Sequence, residues 1–258
     1  TQGVSGTVKY SPVYHPEERI NWTLSASFKH QKAKYEDIGN SLDQFNKENL
    51  NTSLVRYYDG GSPTALWAVR SLGINPSDGR ELFLTKEGTY TFEYDTEDEV
   101  VVGNSEPKLE GVLGSTLYWK GFSFSLYFRY SLGADVFTEA TYNKVENISL
   151  AGLKSNQDKR ALHDRWQKPG DHAKFKGISL TETTPISSRF VLRENYIKAE
   201  SISVGYDFES QAVQKLGIQS LRLQANTTDL FRISSIKEER GIEYPFARSF
   251  SFSLSAMF

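Results

Sequence analysis

The residues able to do chemistry are few and dispersed. The four histidines, His15, His30, His163 and His172, show no metal-ligand spacing such as H-x-x-x-H. His163 adjoins Asp164, but sequence neighbours in extended chain point to opposite sides and form no catalytic pair. With no cysteine there is no thiolate nucleophile, no disulfide framework and no thiolate metal site. Neither a G-x-S-x-G elbow nor a glycine-rich phosphate loop is present. Glu93, Asp95, Glu97, Asp98 and Glu99 form a dense carboxylate run. Calcium favours oxygen-rich loops, but this run lacks the EF-hand spacing and its central glycine, so a solvated loop is expected. The sequence thus predicts no catalytic residue, no metal, no cofactor and no enzyme.

The remaining candidates are aromatic and guanidinium groups that could contact a ligand or partner. Trp166, close to Pro169 and Gly170, is either a stacking surface for a sugar or a lid protein, or an anchor tying a long loop down through a Pro-Gly turn. The anchor is the favoured reading. Tyr57, Tyr58, Trp67 and Phe137 are loop or rim aromatics that could line a ligand cavity, with packing inside the loops the plainer expectation. Arg129 and Arg222 fall on polar faces of alternating segments and are expected in a polar network that could touch solute.

The elements that would hold these residues follow a period of two. In the stretch from Phe122, the residues Phe122, Phe124, Leu126, Phe128 and Tyr130 share one face, and Ser123, Ser125, Tyr127, Arg129 and Ser131 the other. The final residues repeat the pattern, with Phe250, Phe252, Leu254, Ala256 and Phe258 opposite a row of serines. Ile20 to Lys29, Ser201 to Phe208 and Leu221 to Asn226 alternate in the same way. A helical period would scatter serine and phenylalanine over mixed faces.

The 258 residues carry a net charge of −2, so nothing electrostatic points to nucleic acid. The longest apolar run, Ala65 to Val69, is far short of the ~20 residues of a transmembrane helix. A mean hydropathy of −0.50 does not exclude a membrane β-barrel, whose strands alternate. A soluble sandwich also alternates, and a soluble glycan-binding module at the cell surface is the alternative. Long strands argue for the barrel, since soluble strands average roughly five or six residues. So do the aromatics near strand ends (Tyr10, Tyr14, Trp22, Trp119, Phe122, Phe208 and Phe258), which suit interfacial girdles.

Tight connections are expected at Pro16–Arg19, Asn75–Gly79, Lys120–Gly121 and Ser210–Lys215, and long polar loops at about 36–62, 85–106, 134–188 and 229–247. They divide the chain into nine strands: 3–14, 19–35, 63–73, 80–84, 107–119, 122–133, 189–209, 216–228 and 248–258. Thr89–Tyr94 is an extension of, or substitute for, the fourth. Counted back from a periplasmic Phe258, nine strands place Thr1 at the outer surface, so a C-terminal portion of one larger barrel domain is expected over 1–258.

Four ordered motifs carry a family resemblance. RENYIKAESISVGYDF (Arg193–Phe208) resembles the N-Y-hydrophobic…G-Y strand of SusC/RagA-type TonB-dependent outer-membrane transporters. LGIQSLRLQANTTDLF (Leu216–Phe231) is similar to that family's penultimate strand, although Thr227–Asp229 separate Asn226 from Leu230–Phe231. DRWQKPGD (Asp164–Asp171) is similar to its R-W-x-x-P-G-D segment, and LGINPSDGRELF (Leu72–Phe83) to its N-P-x-x-G turn. The resemblance implies an all-β fold: a transmembrane antiparallel barrel of 22 strands with a plug, of which this chain supplies about nine. It also implies the outer membrane of a Gram-negative bacterium and TonB-dependent import of an oligosaccharide or oligopeptide. The implied partners are the plug-bearing remainder, a SusD-like surface lipoprotein, TonB and lipid.

Overall fold

The alternating segments pair into one long antiparallel sheet in a computed structural model, which describes residues 1–154, 157–179, 181–208, 217–237 and 248–258. Its strands are β1 (Gln2–His15), β2 (Ile20–Lys32), β7 (Leu109–Trp119), β8 (Phe122–Phe137), β9 (Val191–Phe208), β10 (Ser220–Thr228) and β12 (Phe250–Met257), adjacent in that order. Short β11 (Arg232–Ser234) pairs with β9 off this path. The sheet is open, with β1 and β12 as its edges. Residue 209, the turn expected at Ser210–Lys215, Leu216 and residues 238–247 of the last loop lie outside the described residues.

Register decides what this sheet is for. Trp119, Leu117 and Leu113 lie opposite Phe122, Phe124 and Phe128 on one side and opposite Ile20, Trp22 and Ala26 on the other. Leu221, Leu223 and Ala225 meet Phe208, Tyr206 and Val204, and also Ala256, Leu254 and Phe252. A slip of one residue in any pair would mix the two faces. None occurs within the β2–β7, β7–β8, β9–β10 and β10–β12 pairs, so over these spans the apolar rows fall together on one face and most polar residues on the other. The β7–β8 turn is two residues long, Lys120 and Gly121, both with positive φ (47° and 95°). That geometry matches the twist of paired strands.

All nine expected segments form strands, but two of them leave this wall, which has seven long strands among the described residues. Segments 63–73 and 80–84 do form strands, β3 (Ala65–Ile74) and β4 (Glu81–Leu84), but in a separate sheet. Its order is β5 (Tyr90–Thr91), β4, β3, β6 (Glu99–Asn104). The reason is visible in β3 itself. Ala65, Leu66, Ala68 and Val69 are all buried, so both faces of the strand are covered. A continuous apolar run suits a strand buried on two sides, whereas a wall strand must expose a polar face. Consequently the expected loops 36–62 and 85–106, the strands between them and the Asn75–Gly79 turn form one folded insertion between β2 and β7.

This sheet belongs to a compact unit made of residues 32–106 and 134–193, and the wall belongs to a second unit of residues 2–31, 107–133 and 194–258. The first unit includes helix α1 (Asp43–Glu48), a π-helical turn at Thr141–Glu146 and helix α2 (Arg160–His163). Val145, Ala161 and Phe175 form a small core against Ile148. Phe190 is fully enclosed, with the rings of Tyr142 and Phe137 at 5.0 and 6.4 Å. No helix among the described residues is long and apolar enough to cross a membrane, a test that does not bear on strands.

Candidate functional site

The polar face of the wall is a ladder of paired charges. Arg129 on β8 reaches Glu200 on β9 at 2.7 Å. Arg222 on β10 approaches Asp207 at 3.6 Å and donates to Ser123 Oγ at 3.2 Å. Lys29 meets Glu110 at 3.1 Å. These pairs are half-exposed and of small worth for stability, but they set a hydrated surface of fixed charges. The opposite face carries an aromatic row beside the tight turns. Trp119 stacks on Phe122 at 6.1 Å, Phe122 meets Tyr206 at 4.4 Å, and Tyr206 meets Phe208 edge-on at 4.7 Å.

The loop unit is organised around buried charge. Arg189 donates to both carboxylates of a pair, Glu81 at 2.9 Å and Glu146 at 3.0 Å, and also to the Lys174 carbonyl at 2.7 Å. Ser187 and Thr184 hydroxyls complete the acceptors of Glu81 and Glu146. Burial opposes the Arg189 charge, yet the hydrogen bonds it donates to Glu146 and Glu81 outweigh it and hold the guanidinium above its ordinary range. Arg165 is likewise buried and donates to the carbonyls of Ala161, Lys176 and Glu146, and burial pulls its pKa down. Arg56 binds Glu99 at 2.6 Å; burial pushes the Glu99 carboxyl up against the opposing pull of Arg56.

Tyr94 and Tyr142 donate to the carbonyls of Ile186 (3.2 Å) and Thr184 (2.8 Å). Burial foremost, with Glu99 beside Tyr94 and Glu146 beside Tyr142, raises both phenols above the ordinary 10.0. Each therefore holds its proton more tightly folded than unfolded. Their contribution to stability is complete below pH 10 and is lost as pH rises beyond it. Alkaline titration followed by tyrosinate absorbance should show late-titrating phenols, with amide protection around 184–187 disappearing alongside them. Uniform titration at the ordinary value would contradict this burial.

Two of the sequence motifs meet in this unit. The indole Nε1 of Trp166 donates to the Pro76 carbonyl at 3.0 Å, and the Gly170 amide donates to the same oxygen at 2.8 Å. Gly79, at φ +73°, lies under the indole so closely that a Cβ there would fall 2.5 Å from the ring. The R-W-x-x-P-G-D segment and the N-P-x-x-G turn are thus two halves of one clasp. Trp166→Ala should raise amide exchange at 73–81 as well as at 164–171, and Gly79→Ala should do the same from the other side. Changes confined to the mutated segment would show that no clasp exists.

The remaining expected residues divide between cavity and packing. Tyr58 and Trp67 pair at 5.3 Å and line a cavity of about 880 Å³, together with Arg56, Glu99 and residues from 43–50 and 86–98. Tyr57 instead packs on Tyr35 and Phe45, and Phe137 on Tyr142 and Phe190. Arg129 and Arg222 stand on the wall, on a different unit from these aromatics. The carboxylate run does not converge: Asp95 accepts from the Glu97 amide, Asp98 from the Lys86 amide, and Glu99 turns inward to Arg56. Among the described residues, no three His, Asp or Glu side chains group as a metal site. The Arg189–Glu81–Glu146 cluster was not foreseen. Nothing in linear sequence separates a buried charge from a solvated one.

Long strands paired in register, apolar on one face and polar on the other, are the pattern of a membrane β-barrel wall. The chain is similar to SusC/RagA-type TonB-dependent outer-membrane transporters in its motifs, and it has their fold. No family model matches it. Two curated relatives, TonB-dependent receptors P39 and P3 of Formosa agariphila, are 24% and 25% identical over 61% and 67% of this chain. The chain spans only 15% and 16% of their lengths. Structures of the RagAB peptide importer in its open-open state and of the RagAB peptide transporter align with TM-scores of 0.73 and 0.70 at 16% identity. These alignments cover 99% and 91% of this chain, and 28% and 26% of the solved chains.

Proposed function

We propose that this chain supplies wall, lumen lining and outer loops to a TonB-dependent importer of nutrient oligomers, oligosaccharide or oligopeptide, in the outer membrane of a Gram-negative bacterium. Residues 1–258 belong in this reading to one barrel domain, continued by a plug-bearing remainder. The apolar face, rich in Phe, Leu and Trp, meets lipid. The Arg129–Glu200 and Arg222–Asp207 pairs face water or plug. A SusD-like lipoprotein covers the outer loops and traps the oligomer, and TonB, acting on the plug, opens the path. No side chain carries out a covalent step.

The observation that carries the reading is the shared register of apolar residues across neighbouring wall strands. Kinship in kind comes from the relatives, which are named as TonB-dependent receptors and a peptide importer. The test is uptake of labelled oligosaccharide and oligopeptide pools by cells with and without the full gene. Cells lacking it, or lacking TonB, should lose uptake of one pool. The protein should also require detergent for extraction and bring a surface lipoprotein with it. Unchanged uptake of both pools, with extraction in plain buffer, would favour the soluble glycan-binding module instead.

A further inference from the structure

We propose that the cavity walled by Tyr58 and Trp67 is a binding subsite for a saccharide unit. The proposal rests on the importer reading and narrows its substrate to an oligosaccharide. At about 880 Å³ the cavity falls within the roughly 300–1,000 Å³ typical of small-ligand sites. Its two rings stand 5.3 Å apart and 51° to one another, and Tyr58 keeps 42% of its surface open.

The wall is fixed before any ligand arrives. The Asn46 side chain holds both backbone groups of Tyr57 at 2.8 and 2.9 Å, and the Gly61 amide donates to the Tyr58 carbonyl at 2.9 Å. Asp59 takes the amides of Ile38 and Gly39, both at 2.8 Å. Trp67 sits on β3 with its amide on the Leu54 carbonyl at 2.8 Å. Preorganisation of this kind spares the entropy of ordering a loop on binding. Arg56 and Glu99, also in the lining, are 1% and 7% exposed and bind one another, with the remaining Arg56 donors on the carbonyls of Ser53 and Val55. This pair is therefore satisfied internally. Hydrogen bonding to a ligand falls to the other polar lining groups, the amines of Lys47 and Lys86 and the five carboxylates of Asp43, Glu87 and the 95–98 run.

This composition favours sugar over peptide. A pyranose ring presents an apolar C–H face and a rim of hydroxyls that both donate and accept, which matches an aromatic wall edged by amines and carboxylates. A pocket for apolar peptide side chains calls for aliphatic walls, and recognition of a peptide main chain calls for a free strand edge. Here Leu50 is the sole aliphatic residue in the lining. The solved neighbours are peptide transporters and carboxylates outnumber cations in the lining, so a basic peptide is the competing class.

The experiment uses the full-length transporter in detergent. It is probed on an array of tetra- to octasaccharides (glucans, xylans, mannans and galactans) and on an array of random octapeptides. Saccharide binding should weaken about tenfold in Tyr58→Ala and persist in Tyr58→Phe, because stacking needs the ring and not the hydroxyl. Leu150→Ala, at an exposed position outside the cavity lining, should leave it unchanged. The proposal is overturned if no saccharide binds, if Tyr58→Ala binds saccharide as well as the parent, or if Tyr58-dependent binding appears for peptides instead. Tyr58-dependent saccharide binding in a protein whose loss leaves cellular uptake intact would sink the importer reading and leave the subsite standing.

Discussion

Arg189→Met is expected to loosen the loop unit by about 3–5 kcal/mol, the cost of breaking a buried ion cluster from one side. The Arg189 side chain is 12% exposed, and those of Glu81 and Glu146 are 2% and 0%. Removing the cation leaves two carboxylates facing one another without water. Amides at 81–84 and 141–147 should then exchange hydrogen between about a hundred and a few thousand times faster in the purified transporter. Replacing both acids as well, in Glu81→Gln/Glu146→Gln/Arg189→Met, should recover much of the loss, because the deficit comes from uncompensated charge. Equal loosening in the triple and single variants would mean that Arg189 acts through packing alone.

The second large effect belongs to the wall. Leu126→Arg should destabilise the barrel by about 2–4 kcal/mol, the range for a cation placed on a lipid-facing strand position near the bilayer midplane. Leu126 lies on β8 opposite Ser115, in the row that includes Phe124 and Phe128. One residue earlier, Ser125 faces Thr116 on the other side, in the row that includes Arg129. Ser125→Arg should therefore be tolerated. Heat-induced unfolding of the folded band on electrophoresis compares the two directly, and equal losses would refute the face assignment.

The wall was legible in the sequence because its signal is local and repeated. Phe-Ser-Phe-Ser-Leu at Phe122 and Phe250 each state which face is which, and register then aligned them. The departure of two strands into a separate sheet has an equally local cause. Ala65–Val69 was the longest apolar run, and a strand apolar on both faces has no place in a barrel wall. Reading that run as a two-sided core strand would have assigned β3 and β4 to the loop unit. What no pattern could disclose was pairing at a distance. Trp166 finds Pro76 across 90 residues and Arg189 finds Glu81 across 108. Such contacts depend on how two insertions fold together. Tyr57 and Tyr58 are chain neighbours of one type, yet one packs inward and the other opens on a cavity.

The most direct test of the account is cysteine scanning along β8 in outer-membrane vesicles, since this chain carries no cysteine of its own. Single cysteines at 122 to 130 would be offered a water-soluble, membrane-impermeant maleimide and, separately, a lipid-dissolved thiol reagent. The account predicts strict alternation: positions 124, 126 and 128 react from lipid, and 123, 125, 127 and 129 from water. Aqueous labelling at every position, with no period of two, would contradict a membrane wall.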